Sequence, residues 1–205
     1  MPKITLIKPQ RSKKRVNIYL DGKFAFGLDL ENFVKTGLKV EQELSQDEVT
    51  QIIEDSEFQK ILDALLKFAS LRPRSEREIG DYFRRKKVHK SIQEKLTARL
   101  KKLDMIDDLK FAYWWVDQRQ QFRPKPKMIL KRELMLKGIK RENIDRVLDD
   151  IKVDEEKIAR DLLEKKKYRW KNMGKGEARR KMSEFLSRKG FAWDVIKKAV
   201  GVGDY

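Results

Sequence analysis

At 205 residues with no cysteine and one histidine, the chain has room for one or two ordinary domains but none for disulfides, thiolate catalysis or a Cys/His zinc site. Lys and Arg number 50 against 33 Asp and Glu, a net charge of +17, and that surplus repels itself unless the partner is a polyanion or an anionic surface. The N-terminus lacks the apolar core of a signal peptide and no apolar run approaches membrane-spanning length, so a soluble, cytoplasmic protein is expected. The charge is uneven: residues 1–56 are neutral, 57–107 carry +6, 108–156 carry +2 and 157–205 carry +9. A neutral head that docks or stabilises, followed by a basic body that meets the polyanion, is the simplest reading.

The head, residues 1–56, reads as a small α+β unit. Ile4 to Ile7 is a short strand. Arg11 to Arg15 connects it to a second, Val16 to Leu20, and Asp21-Gly22 is the preferred pair for a type I′ hairpin turn into Phe24–Leu28. Three such strands need something to pack on. Leu30–Thr36 reads as a helix stopped by Gly37. Ser45 with Glu48 is a capping-box pattern, opening a helix through Val49, Ile52 and Ile53.

Beyond residue 56 the apolar pattern repeats at a period of about fifty residues, the mark of a repeat array. Three units are expected, at 57–107, 108–156 and 157–205, each with a helix A, a short basic loop, a helix B, a tight turn and a helix C. In the first, helix A begins near Phe58, Pro73 breaks the chain, and Ser75 with Glu78 caps a helix B carrying Ile79, Tyr82 and Phe83. Gly80 weakens that helix by about 1 kcal/mol relative to alanine. Val88 marks the turn, and Ile92, Leu96, Leu100 and Leu103 face helix C inward. The second unit places Leu130, Leu134, Gly138, Ile139, Ile144, Val147, Leu148 and Ile151 at the matching offsets. The third places Met182, Leu186, Gly190, Phe191, Val195, Ile196 and Ala199 there, with fraying expected from Gly201 onward. The fold class is therefore mainly α: tandem three-helix repeats, with a small N-terminal α+β head containing a β-hairpin.

A search for catalytic chemistry is nearly empty. His89 sits in a basic turn and reads as a surface residue. Gly22 to Gly27 has the first spacing of a P-loop, but Leu28-Asp29 stand where Lys-Ser/Thr is required. Asp107-Asp108 and Glu155-Glu156 stand at helix starts, where carboxylates cap open N–H groups. The positive signal is cationic. Basic residues recur in each A–B loop and on helix B: Arg72, Arg74, Arg77, Arg84, Arg85, Lys86 and Lys87 in the first repeat, and Arg123, Lys125, Lys127, Lys131 and Arg132 in the second. The third has Lys165, Lys166, Lys167, Arg169, Lys171, Lys175, Arg179, Arg180, Lys181, Arg188 and Lys189. Stacked repeats would align these into a stripe able to track a phosphate backbone. Adjacent Trp114 and Trp115 cannot share a helix face, and core packing is the favoured reading for both. Trp170, Trp193 and Tyr168 lie amid basic residues and are better candidates for stacking on bases.

Several ordered motifs resemble the RecX family of RecA regulators. They are Leu71-Arg72-Pro73-Arg74-Ser75-Glu76-Arg77-Glu78-Ile79; Met105-Ile106-Asp107-Asp108 with Phe111-Ala112 and Trp115-Val116; Arg119; Phe122-Arg123-Pro124; and Leu134 to Ile139. The resemblance covers about residues 57–200, and the head is similar to the N-terminal extension of longer members. Asp104 stands where the family tends to have a small residue, and Gly80 and Pro126 are unusual in their elements. A non-enzymatic monomer that needs no cofactor is expected. The resemblance implies that the three-helix repeats form an elongated, curved array, which would bind the groove of the RecA filament on single-stranded DNA. There it would suppress strand exchange, ATP hydrolysis and cleavage of the SOS repressor, by blocking extension or promoting disassembly. Duplex DNA is a further candidate partner; a membrane is not. Two other classes remain open from the residues alone. One is a helix-turn-helix regulator, which would prefer one duplex sequence strongly. The other is a basic scaffold for an acidic protein, which would ignore oligonucleotides at low salt.

Overall fold

A computed structural model describes residues 1–11 and 13–201; the fraying expected past Gly201 falls outside the described residues. Strands β1 (Ile4–Pro9), β2 (Arg15–Leu20) and β3 (Lys23–Asp29) form an antiparallel sheet in that order. Asp21 and Gly22 both have positive φ, 47° and 81°, as a type I′ turn requires. Alternation puts Ile4, Val16, Ile18, Phe26 and Leu28 on one face, where Leu38, Leu44 and Val49 close the core. Helix α1 (Leu30–Thr36) ends on Gly37 in the left-handed conformation. Ser45 and Glu48 make the reciprocal capping box of α2. The sheet thus acquires the packing partner its small size demands.

Helix α2 runs unbroken from Gln46 to Ser70. The sequence reading ended one helix near Ile53 and began another at Phe58, whereas one 25-residue helix spans both. The reason is compositional: no Gly or Pro stands between Gly37 and Pro73, so nothing interrupts the hydrogen-bond ladder. The remaining helices are α3 (Glu76–Lys86), α4 (Lys90–Lys102), α5 (Asp108–Phe122), α6 (Lys127–Leu136), α7 (Arg141–Asp150), α8 (Glu155–Lys165), α9 (Lys175–Arg188) and α10 (Trp193–Val200), with a 3₁₀ turn at Lys167–Arg169. The chain packs as two compact units. One comprises residues 1–72 and 89–100, the other 73–88 and 101–205.

Three tight turns confirm the repeat. Lys87, Gly138 and Gly190 have φ of 53°, 82° and 84°. The residue after each, Val88, Ile139 and Phe191, is buried and donates its N–H to the carbonyl five residues back: Phe83 (3.0 Å), Leu134 (3.1 Å) and Leu186 (3.2 Å). This is the Schellman ending, with its customary apolar residue. Two small cores follow. Phe111, Val116, Leu130, Leu134, Ile144 and Val147 fill the second repeat. Ala159, Trp170, Phe185, Leu186, Phe191 and Ile196 fill the third. Trp114 and Trp115 both pack against the former core, as expected. Trp170 corrects the sequence reading: it is buried edge-on to Phe185 at 5.7 Å between centroids and is not available for stacking on a base.

One joint recurs between consecutive repeats. The first N–H of α3, at Glu76, donates to Asp108 Oδ1 in the first turn of α5 (2.9 Å). The first N–H of α6, at Lys127, donates to Glu155 Oε1 in the first turn of α8 (2.5 Å). The acidic residues expected at helix starts therefore divide the work. Asp107 caps its own helix, Asp108 and Glu155 cap the preceding helix B, and Glu156 pairs with Arg160; the cap of α8 is Asp154, which the sequence reading did not single out. Burial pushes the Asp108 carboxyl above its ordinary range, while the N–H of Glu76 pulls it back. The same joint brings each turn glycine against the preceding helix B. A Cβ on Gly138 would lie 2.7 Å from Arg77 Cβ, and one on Gly190 2.7 Å from Ile129 Cδ1.

These contacts set distinct stability costs. Gly138→Ala and Gly190→Ala should each lower the unfolding free energy by about 2–5 kcal/mol, about 1–2 from the left-handed backbone and about 1–3 from overpacking. Lys87→Gly should instead raise it by about 1 kcal/mol, since only the backbone penalty is relieved. Gly80→Ala should raise it by about 1 kcal/mol, because a Cβ there meets nothing within 4 Å. Urea unfolding of the four variants checks both signs.

Candidate nucleic-acid interface

The cations singled out by sequence fall into two groups. Several in the first two repeats are built into the packing. Arg74 is buried, with Nη1 3.8 Å from Glu78 Oε2. Arg72 is half-buried. The Arg77 stem lies against Gly138. Lys127 extends its ammonium to the carbonyl of Leu148 at 2.6 Å, satisfying the open end of α7. Lys131 pairs with Asp145 at 2.6 Å and holds that carboxyl below its ordinary range. Lys125 is half-buried, and its carbonyl accepts from Gln120. The exposed candidates in these repeats are Arg77, Arg84, which pairs with Asp81 at 3.0 Å, then Arg85, Lys86, Lys87, Arg123 and Arg132.

The third repeat differs in kind. Between positions 165 and 189 stand eleven basic and two acidic residues, a net +9. Only weak surface pairs relieve it: Lys167 with Glu164 at 3.1 Å and Arg180 with Glu184 at 3.9 Å. Among the described residues no ion pair engages Lys165, Lys166, Arg169, Lys171, Lys175 or Arg179, all exposed. Lys166 instead lies 5.9 Å from the centre of the Tyr168 ring, and Lys181 is half-buried. Tyr168 and Trp193 are exposed, 70% and 60%, so both remain open to stacking. His89 is exposed and bonds to Ser91 at the start of α4.

One constellation escaped the sequence reading. Trp115 donates from Nε1 to Glu133 (2.9 Å), which also receives Arg119 Nε (2.7 Å). The Arg119 guanidinium and the Lys137 ammonium lie 4.4 and 4.7 Å from the Trp115 ring centre. Lys137 then reaches Glu78 at 2.8 Å. The half-buried charges link α3 to α5 and α6, so the cluster is structural. Arg119, four residues after Trp115 on one helix face, was a legible hint; Lys137 was not. Among the described residues no group of His, Asp and Glu side chains is placed to hold a metal ion, and no helix is long and apolar enough to cross a membrane.

Comparison with known proteins agrees along the chain. Residues 2–45 match the regulatory protein RecX N-terminal domain, 107–148 the second RecX three-helix domain and 154–200 the third. The regulatory protein RecX of Bacillus licheniformis is 34% identical, over 100% of this chain and 79% of its own. That of Clostridium tetani is 32% identical, over 97% and 93%. A crystal structure of regulatory protein RecX superposes with a TM-score of 0.74 at 26% identity, covering 97% of this chain and 98% of the other. The chain belongs to the RecX family of regulatory proteins.

The two groups of cations should separate on substitution. Lys127→Met is expected to lower stability by about 1–2 kcal/mol, through the unsatisfied carbonyl of Leu148, with little change in oligonucleotide affinity. Lys175→Met and Arg179→Met should leave stability within about 0.5 kcal/mol and weaken binding. Thermal unfolding and fluorescence anisotropy read the two effects apart.

Proposed function

We propose that this RecX-family chain is a non-enzymatic regulator of RecA-driven recombination and SOS induction. It acts in the cytoplasm as a monomer lying along the groove of the RecA filament on single-stranded DNA. There it blocks extension or promotes disassembly. The observation that carries this reading is the match to regulatory RecX proteins over the length of the chain. The cation surplus of the third repeat supports a share for DNA in the contact, since such a surface gains from releasing counterions of a phosphate backbone.

The mechanism needs no reacting group. A ligand shifts an equilibrium by its differential affinity for the two states. A repeat array that contacts successive protomers and the strand they enclose favours the filament geometry that presents both. It opposes the cycling on which extension and ATP turnover depend. Carboxylate caps and glycine contacts fix how α3, α6 and α9 follow one another, so the exposed cations are presented on a pre-organised frame. Little ordering cost then remains at binding.

The test is the ATP hydrolysis rate of RecA preassembled on single-stranded DNA, titrated with this protein at near-physiological salt. A fall at substoichiometric protein is expected. Charge reversal at Arg169, Lys175 and Arg179 together should weaken the inhibition severalfold. An unchanged rate with folded protein would overturn the reading.

A further inference from the structure

The loop between helices A and B is not the same in the three repeats. It spans 71–75 in the first, 123–126 in the second and 166–174 in the third. An insertion at a fixed place in a repeat array maps to a loop on one face, where function concentrates. The long loop is ordered by its own turns: Arg169 N–H bonds to the Lys166 carbonyl (2.9 Å), Trp170 to Lys167 (3.1 Å) and Met173 to Trp170 (3.2 Å). Trp170 anchors it by sinking into the core against Phe185. Two residues earlier, Tyr168 is left 70% exposed. The chain therefore spends one aromatic on holding the loop and presents the other to solvent.

What surrounds Tyr168 is cationic. Lys166 lies over its ring at 5.9 Å, Arg169 follows it, and Lys171, Lys175 and Arg179 continue along the loop and into α9, all exposed and outside the ion pairs of the described residues. Helix α9 starts behind Gly174 with no side-chain cap, which leaves its first N–H groups able to meet a phosphate. The second repeat also exposes an aromatic beside a cation, Phe122 next to Arg123, but its loop is short and feeds Lys127 into the fold, and the exposed large apolar side chains of α6 are Met128, Met135 and Leu136.

We propose that the Lys166–Arg179 segment is a single-stranded nucleic-acid site, in which Tyr168 stacks on an unpaired base while Arg169, Lys171, Lys175 and Arg179 hold the flanking phosphates. An open π-face between cations selects a strand whose bases are free, because duplex bases are already stacked. The assignment rests on the DNA-binding part of the function proposed above and gives it a place. Base–aromatic stacking is sequence-tolerant, so the site reads strandedness and not sequence.

The test uses the full chain without recombinase. Anisotropy compares a labelled oligo-dT with an abasic oligomer of equal length and charge. Wild type should prefer oligo-dT by about tenfold. Tyr168→Ala should abolish that preference, and Tyr168→Phe should keep it. Arg169→Gln should weaken both ligands alike and reduce the salt slope by about 0.7. Equal wild-type affinity for the two oligomers would overturn the site, making the loop a general polyanion surface. A Tyr168→Ala variant that keeps the full preference would overturn it too, as would an Arg169→Gln variant that binds both unchanged. Because RecA is absent, these failures are distinct from failure of the filament reading: inhibition of RecA by Tyr168→Ala at wild-type strength would leave the latter standing.

Discussion

The second compact unit depends on how a helix that cannot cap itself finds a cap. Helix α6 begins at Pro126, which has no side chain able to accept a hydrogen bond. The open N–H of Lys127 is answered by Glu155 from the next repeat. Helix α3 does have Ser75, whose hydroxyl accepts from Glu78 and itself donates to Lys137, but its first N–H is still answered from outside, by Asp108. An unsatisfied helix end is thus converted into a bond between repeats. Each such bond fixes register, since the carboxylate must stand at the first turn of the following helix A. Small repeats that bury little surface alone gain their stability from such neighbour terms.

Steric exclusion works beside the hydrogen bond. Gly138 and Gly190 are required twice, by positive φ and by a neighbour that would lie 2.7 Å from a Cβ. Lys87 occupies the same left-handed position as an exposed lysine. That contrast separates the two causes. The turn alone tolerates a lysine at modest cost, whereas turn plus joint does not. The joints also differ in chemistry. The earlier one carries the partly buried Glu78–Lys137 pair and the Trp115 cluster. At the later one the turn glycine meets an apolar side chain, Ile129 against Gly190, beside the Lys127–Glu155 hydrogen bond. Partly buried ion pairs add orientation more dependably than net stability.

Much of this architecture is legible in the amino-acid sequence. Capping residues, turn pairs and apolar positions at a fifty-residue period are local chemistry, and they place the hairpin, the capping box of α2, the Ser75 cap of α3 and the buried faces of α6, α7 and α10; the reciprocal half expected from Glu78 is not made, because its carboxylate meets Lys137 and Arg74. Two elements are not legible, each for a physical reason. The unbroken α2 cannot be told from two helices because both halves carry helical apolar spacing, and only the lack of a breaker decides it. Trp170 resembles its exposed neighbours because a basic stretch hides a single inward-facing residue. The candidate cations are readable as types and not as roles. Lys127 and Arg74 are as basic in sequence as Lys175 and Arg179, yet the first two serve the packing because a carbonyl end or a carboxylate held by the fold happens to meet them.

Separating the roles of charge explains how a chain with net +17 keeps a defined fold. Cations at the joints of the earlier repeats are neutralised by partners held in place, so their charge adds orientation without much repulsion. The α8–α9 region has the opposite arrangement: eleven basic and two acidic residues in 25 positions, with repulsion screened only by salt. That repulsion raises the free energy of the unliganded third repeat. A polyanion relieves it, and whatever binds the folded state alone stabilises it by linkage. Under the proposed function the exposed cations of this region serve affinity for phosphate, whereas the joints that align the repeats carry stability.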